Sequence, residues 1–300
     1  EYNNTINGFC SPKDLEVAMQ MIYAYIKFPR FDEKAFENTM SNYAAMLANR
    51  GNDPESVFQD SVNFILNSYH PRYKPNNVED LKKVNHKDAY DFYKSSFGSV
   101  NGMRMVFVGN IPLDSFKIYV EKYLATLPSS DKSSSYKDLN VKTLAGNYSK
   151  IINKGIEPKS SVQMIYTGSF ENNIKNRLEF NALMKLISIK LRENLREDKG
   201  GTYGVGAYNS IQRIPKSEYK VFIVWGCAPD NVDLLLSAAK EEIAKTKNGL
   251  CSIDDLNKVK ETLKRDKESA EKTNSFWVST LNSYYSSGEN QENYKLYNSY

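Results

Sequence analysis

The chain has 300 residues, 40% of them hydrophobic and 25% charged, which is typical of a globular protein with about two domains. The formal net charge is only +4 and no block rich in lysine or arginine occurs, so nothing indicates nucleic-acid binding. No apolar run approaches the roughly 20 residues needed to span a membrane. The three widely spaced cysteines do not suggest a disulfide framework.

The first half of the chain is predicted to be mainly helical, because apolar residues recur every three or four positions behind capping residues. The one clear strand of this half is MRMVFVGN, residues 103–110. A polar, serine-rich segment follows, and we interpret residues 129–146 as a linker between two domains. Helices are predicted over 12–28 with Ser11 as cap, from Asp32, from Asp53, and over 77–84, 86–97 and 112–126.

The second half is predicted to combine strands with longer helices. A long amphipathic helix over residues 174–197 precedes two strands that are joined through Pro215. An antiparallel sheet covered by helices is therefore expected here. The strands are predicted at 161–170, 202–211 and 218–226, and the remaining helices at about 230–246, 253–270 and 274–287.

The chain also resembles itself at an offset of 217 residues. CSPKDLEVAMQMI, which begins at Cys10, matches CAPDNVDLLLSAA, which begins at Cys227. A second helix follows each segment, with Asp32 as its acidic cap in one copy and Asp254 in the other. The same order of elements indicates a duplicated unit of roughly 220 residues.

The duplication predicts how the chain is divided. Residues 1–128 would form the C-terminal part of one α/β unit, helical with one strand, and residues 147–300 the N-terminal and central part of a second unit. The chain then starts inside one copy and ends inside the next. We therefore expect it to be a fragment of a longer protein.

The glycine-rich stretch LREDKGGTYGVG, residues 195–206, first suggests a phosphate-binding loop. Such a loop follows a strand and opens a helix, so that the phosphate meets the positive end of the helix dipole. Here the predicted helix precedes and the strand follows, which disfavours a nucleotide site. We interpret Gly200 and Gly201 as a helix stop. On spacing alone, Arg196 could simply bond the last helical carbonyls, and Tyr203 could simply pack.

No metal site or nucleophile is indicated by the residue pattern. The two histidines, His70 and His86, have no second histidine or cysteine at ligand spacing. The motifs H-E-x-x-H, H-x-x-E-H and G-x-S-x-G are all absent. We therefore expect no metal ion and no cofactor in this chain.

Several segments closely resemble the non-catalytic, C-terminal half of bacterial pitrilysin/insulinase-type zinc peptidases. They include LANRGNDPESVFQDSVNFILNSYHPRYKP, NHKDAYDFYKSSF and MRMVFVGNIPLDSFKIYVEKYLATLP, while LRENLREDKGGTYGVGAYNS is similar to the family segment R-E-x-x-G-x-x-Y-[GS]-V. The resemblance implies an α+β fold of the metallohydrolase-like, or mitochondrial processing peptidase-like, type. Its repeated units consist of mostly antiparallel sheet with helices packed on one face.

The resemblance also implies a division of labour. In this family an H-x-x-E-H motif and a downstream glutamate hold zinc in the N-terminal catalytic half, which would be the partner of this chain. This half would clamp a peptide substrate and would be inactive alone. Arg196 and Tyr203, seven residues apart, would support the transition state, and Gly201 and Gly204 would give the substrate room.

Two questions stay open at the level of sequence. The family also contains subunits that have lost catalysis, so a structural or peptide-holding role is the alternative to a zinc metallopeptidase. The compartment, periplasm or cytoplasm of a bacterium, is not determined, because a core of this size needs no disulfides in either.

Overall fold

The computed structural model describes residues 3–131 and 136–299, apart from the side chains of Tyr203 and of residues 296–299. The chain divides into two compact units, Glu1–Leu144 and Ala145–Tyr300. Residues 132–135 of the predicted linker lie outside the described part. None of the helices in that part has the length and apolar character that a membrane crossing requires.

The first unit is built from helices, and in several of them a capping side chain fixes the start of the helix. Asp32 accepts a hydrogen bond from the backbone N–H of Ala35 at 2.9 Å, and Asp53 accepts one from that of Ser56 at 2.8 Å. Both predicted caps are thereby confirmed. The helices are α1 (Leu15–Lys27), α2 (Glu33–Arg50), α3 (Pro54–Leu66), α4 (Val78–Leu81), α5 (His86–Phe97) and α6 (Leu113–Tyr119), which continues as a π-helical turn over Val120–Leu124.

The start of α1 differs from the prediction. Ser11 does not cap the backbone, since its hydroxyl donates to Asp14 Oδ2 at 2.7 Å, and a 3-10 turn over Pro12–Asp14 comes before α1. In the second unit a 3-10 turn over Pro229–Asn231 leads into a helix in the same way. The two copies of the sequence repeat therefore begin their helices alike.

The predicted strand over residues 103–110 was wrong. Residues 103–108 have no regular secondary structure, because they form no backbone ladder with any described strand. The backbone N–H of Met103 instead donates to the carbonyl of Val100, and that of Val100 to the carbonyl of Pro128. An extended apolar segment becomes a strand only when a neighbour supplies the ladder hydrogen bonds.

The second unit contains a three-stranded antiparallel sheet in the order β1-β3-β2. Four helices accompany it, which confirms the predicted α+β class with antiparallel pairing. The strands are β1 (Ser160–Ser169), β2 (Thr202–Gln212) and β3 (Glu218–Cys227), and the helices are α7 (Ile174–Leu191), α8 (Val232–Lys247), α9 (Ile253–Ala270) and α10 (Asn274–Ser287).

The core of this unit lies between one face of the sheet and the helices α7 and α8. Every second residue of β3, namely Val221, Ile223 and Trp225, is buried there, as strand periodicity requires. The helices contribute fully buried residues such as Leu191 and Leu235. Burial of these side chains on one face is the main stabilisation of the sheet.

Two polar clusters join the helices of this unit. Lys190 of α7 pairs with the buried Asp255 of α9 at 2.8 Å, and Asp255 also forms a capping box with Ser252. The cap of α9 is therefore Ser252, not the predicted Asp254. Next to α10, the carboxylate of Glu289 accepts hydrogen bonds from Arg177 and Arg213.

Candidate functional site

Arg196 lies on a π-helical turn that spans Arg192–Asp198. The sequence predicted one helix over 174–197, but α7 ends at Leu191 and the chain continues in this wider turn. Turns of this kind occur mostly as single insertions in helices and frequently at functional sites. Leu195 inserts into the core with no exposed surface, whereas its neighbour Arg196 is exposed.

The backbone of this turn is anchored while the guanidinium of Arg196 is available. Leu195 anchors the turn by packing in the hydrophobic core. Asn194 Nδ2 donates a hydrogen bond to Glu242 Oε2 of α8 at 3.1 Å. Within the part of the chain that the structure describes, the guanidinium of Arg196 makes no hydrogen bond and no ion pair. It can therefore donate to a bound molecule without first breaking an internal contact.

Two glycines follow the turn and have separate roles. Gly200 adopts a φ of +61°, the left-handed conformation in which helices commonly stop, and this confirms the predicted stop. A Cβ on Gly201 would lie 2.8 Å from Cδ2 of Leu235, which is fully buried. Because Gly201 has no side chain, α8 can pack closely against it on that side. The predicted contact of Gly201 with a substrate stays a prediction.

A β-bulge interrupts β2 at the predicted site. Thr202 pairs with Cys227 of β3 and Val205 pairs with Trp225, so Tyr203 and Gly204 together oppose a single residue, Gly226. Bulges often lie beside active sites, where they redirect a side chain. Among the described atoms outside its two chain neighbours, none lies within 4 Å of the place where a Cβ on Gly204 would be. The side chain of Tyr203 is outside the described part of the structure, so only its backbone position is established.

Thr202 was missed by sequence reasoning. Its side chain is buried, with 8% of the residue exposed, and its hydroxyl donates to the carbonyl of Gly226 at 2.6 Å. The same oxygen accepts from the backbone N–H of Gly204 at 3.2 Å. A threonine at the first position of a strand, directly before a tyrosine and a glycine, was the available signal.

Two other potentially reactive groups, one in each unit, have ordinary structural roles. Burial raises the pKa of the Cys227 thiol, which keeps it protonated at neutral pH and therefore a poor nucleophile. His86 is stacked between Phe31 and Phe36, with ring centroids 3.9 and 4.6 Å away. Among the residues that the structure describes, no group of three or more His, Cys, Asp or Glu could hold a metal ion.

Solved structures identify the class of protein that has this fold. The periplasmic protease PqqL from Escherichia coli is similar with a TM-score of 0.78 and 19% identity, over 91% of this chain and 30% of that one. A protease from Helicobacter pylori is similar with a TM-score of 0.77 and 17% identity, over 96% of this chain and 70% of that one. Pitrilysin has a TM-score of 0.55. The fold is therefore one found in peptidases.

The family follows from the sequence itself. The sequence model of the family described as "Peptidase M16 inactive domain" matches residues 83–263, and the chain belongs to this family. It corresponds to the non-catalytic half of zinc protease-like enzymes, which confirms the resemblance found in the sequence.

Curated relatives carry matching names. "Zinc protease PQQL-like" from Arabidopsis thaliana is 24% identical over 89% of this chain and 30% of the relative. "Probable zinc protease PqqL" from Escherichia coli is 25% identical over 67% of this chain and 22% of the relative. The chain thus spans less than a third of the length of either relative.

Proposed function

We propose that this chain is the substrate-clamping half of a zinc metallopeptidase that hydrolyses peptides. The family and the names of the relatives support this, and so does the fact that the chain spans only 30% and 22% of those relatives. The zinc ion, which polarises the scissile carbonyl and activates water, would be held by the N-terminal catalytic half. That half is the proposed partner of this chain.

The observation that carries the proposal is the exposed guanidinium of Arg196 on an anchored turn. A guanidinium presents donors in a rigid fork, which suits a peptide carbonyl or an oxyanion. Because Leu195 and Asn194 fix the backbone of the turn, Arg196 can reach a substrate without moving the core. In the proposed complex Arg196 holds the substrate and supports the charge that develops in the transition state.

Tyr203 and Gly204 complete the proposed site. The bulge sets Tyr203 apart from the regular ladder of β2, and the phenol would donate a hydrogen bond to the developing oxyanion. The open space beside Gly204 would admit an extended peptide backbone. Of the two compartments left open by the sequence, the periplasm is favoured by the relative that is described as a periplasmic protease.

Substitutions in the full-length protein test this function. Tyr203→Phe removes only the phenolic donor, and we expect kcat to fall by about 10–1000-fold, as it does when one oxyanion donor is lost. Arg196→Gln should lower kcat/KM by a similar factor. Both parameters are measured with a quenched fluorescent peptide.

Matched controls lie on the same elements. Tyr208→Phe changes a tyrosine of β2 whose ring stacks on Phe222, and Arg192→Gln changes an exposed arginine of the same turn. Both controls should leave kcat within about threefold. An unchanged kcat in Tyr203→Phe would remove Tyr203 from the mechanism. An inactive full-length protein without an H-x-x-E-H motif would support the structural or peptide-holding alternative.

A further inference from the structure

We propose that Thr202 is a positioning residue whose buried hydroxyl holds the bulge that presents Tyr203 and Gly204 to the substrate. The inference rests on the proposed function, because it assigns Thr202 a role through Tyr203. The hydroxyl lies inside the protein and does not contact the substrate itself.

The backbone ladder between β2 and β3 has a gap at the bulge. At the bulge, β2 has two residues against one residue of β3, so the regular backbone pairing is interrupted there. The hydroxyl of Thr202 bridges this gap by donating to the carbonyl of Gly226 at 2.6 Å. This side-chain hydrogen bond thus links β2 to β3 at the position where the backbone pairing is interrupted.

The Thr202 hydroxyl also binds the backbone on the other side of Tyr203. The backbone N–H of Gly204 donates to the same hydroxyl oxygen at 3.2 Å. Because Tyr203 lies between Thr202 and Gly204, this hydrogen bond closes a small ring that includes the backbone of Tyr203. The backbone on both sides of Tyr203 is therefore held by the Thr202 hydroxyl.

The Thr202 side chain is buried. Thr202 is only 8% exposed, so water does not readily replace its hydrogen bonds when the hydroxyl is removed. The flanking residues are also fixed, since Gly201 packs against Leu235 and Val205 returns to the ladder opposite Trp225. The backbone conformation at Tyr203 therefore depends on the hydrogen bonds of the Thr202 hydroxyl.

The experiment uses the full-length protein with Thr202→Val and Thr202→Ser. Valine keeps the branched shape and loses the hydroxyl, whereas serine keeps the hydroxyl. We expect Thr202→Val to lower kcat by about 10–100-fold, because small misplacements of a catalytic group have effects of this size. Thr202→Ser should stay within about threefold of the wild type. Hydrogen exchange at Gly204 should be faster in Thr202→Val only.

The double variant Thr202→Val/Tyr203→Phe shows whether Thr202 acts through Tyr203. If it does, the double variant loses no more activity than Tyr203→Phe alone. Losses that simply multiply would overturn the inference, and so would equal losses in Thr202→Val and Thr202→Ser. Where Thr202→Val does not fold, Thr202→Ala replaces it in the same comparisons.

The Tyr203→Phe and Thr202→Val variants together distinguish the role of Thr202 from the proposed function. A fall in kcat for Tyr203→Phe together with an unchanged Thr202→Val would refute the role of Thr202 and leave the function standing. An unchanged kcat for Tyr203→Phe would remove Tyr203 from the mechanism and, with it, the positioning role of Thr202, while the proposed function would then depend on Arg196. Hydrogen exchange at Gly204 would then still report whether the hydroxyl holds the bulge.

Discussion

Gly201 and Gly204 are three residues apart but have opposite surroundings. A Cβ at Gly201 would press on the buried Leu235, whereas a Cβ at Gly204 would have no described atom within 4 Å apart from those of its chain neighbours. The sequence assigned both glycines the same role, because spacing does not tell which way a backbone faces. A substitution at Gly201 therefore tests stability, and a substitution at Gly204 tests substrate binding.

We expect Gly201→Ala to lower the free energy of unfolding by about 1–3 kcal/mol, since it overpacks the contact with Leu235. Gly204→Ala should leave that free energy within about 0.5 kcal/mol. In the full-length protein it should lower kcat/KM by about tenfold, because the added methyl occupies space meant for a peptide. Urea unfolding and peptide cleavage measure the two effects. The prediction fails if Gly204→Ala cleaves peptides as well as the wild type.

Only part of the site could be predicted from the sequence. The stop at Gly200 depends on a local signal, a glycine after a helix end, whereas the role of Arg196 was inferred from the family resemblance and stays a prediction. The bulge depends on how β2 pairs with β3, more than ten residues further along the chain. Burial of Thr202 depends on the same pairing, so the local pattern of a threonine before a tyrosine and a glycine could mark its position but not its role.

At the level of elements, the pair of Lys190 and Asp255 connects α7 to α9. The Lys190 ammonium group, together with hydrogen bonds from Ser252, lowers the pKa of the Asp255 carboxyl. Because the carboxyl holds its proton less tightly in the folded state than in the unfolded state, folding is favoured when Asp255 is ionised. The contribution is complete above the ordinary pKa of aspartate and disappears as the pH falls.

Asp255→Asn should therefore destabilise the chain at pH 7, and its difference from the wild type should shrink as the pH falls below about 4. Urea unfolding at pH 7 and at pH 3 measures this difference. Asp254→Asn, an exposed neighbour on the first turn of α9, is the control and should show little difference at either pH. A difference that grows on acidification would contradict the assigned role of Asp255.

Element starts were predicted best where a side chain caps its own helix, as Asp32 and Asp53 do. The start of α9 shows the limit of that reasoning. Ser252 and Asp255 form the cap, and the pattern S-x-x-D was present, but the neighbouring Asp254 was chosen for its match to Asp32. The prediction of a strand over residues 103–110 was wrong for a different reason. Its apolar residues indicate an extended backbone, but they do not supply a neighbouring strand to pair with.

At the level of the whole molecule, membership of the M16 inactive domain predicts dependence on another half. We expect the isolated chain to bind no stoichiometric zinc and to cleave no peptide. Addition of the N-terminal half should give cleavage. Metal analysis and a quenched peptide substrate provide the two measurements, and peptide cleavage by the isolated chain would refute the division of labour.

The order β1-β3-β2 has a consequence for work with the isolated chain. Among the described strands, β1 and β2 are the two outer strands of the sheet. A bulge interrupts β2, whereas β1 reads SSVQMIYTGS and carries neither a charge nor a proline to prevent pairing with another molecule. We therefore expect concentrated samples to associate strand to strand through β1, away from the bulge that carries Tyr203.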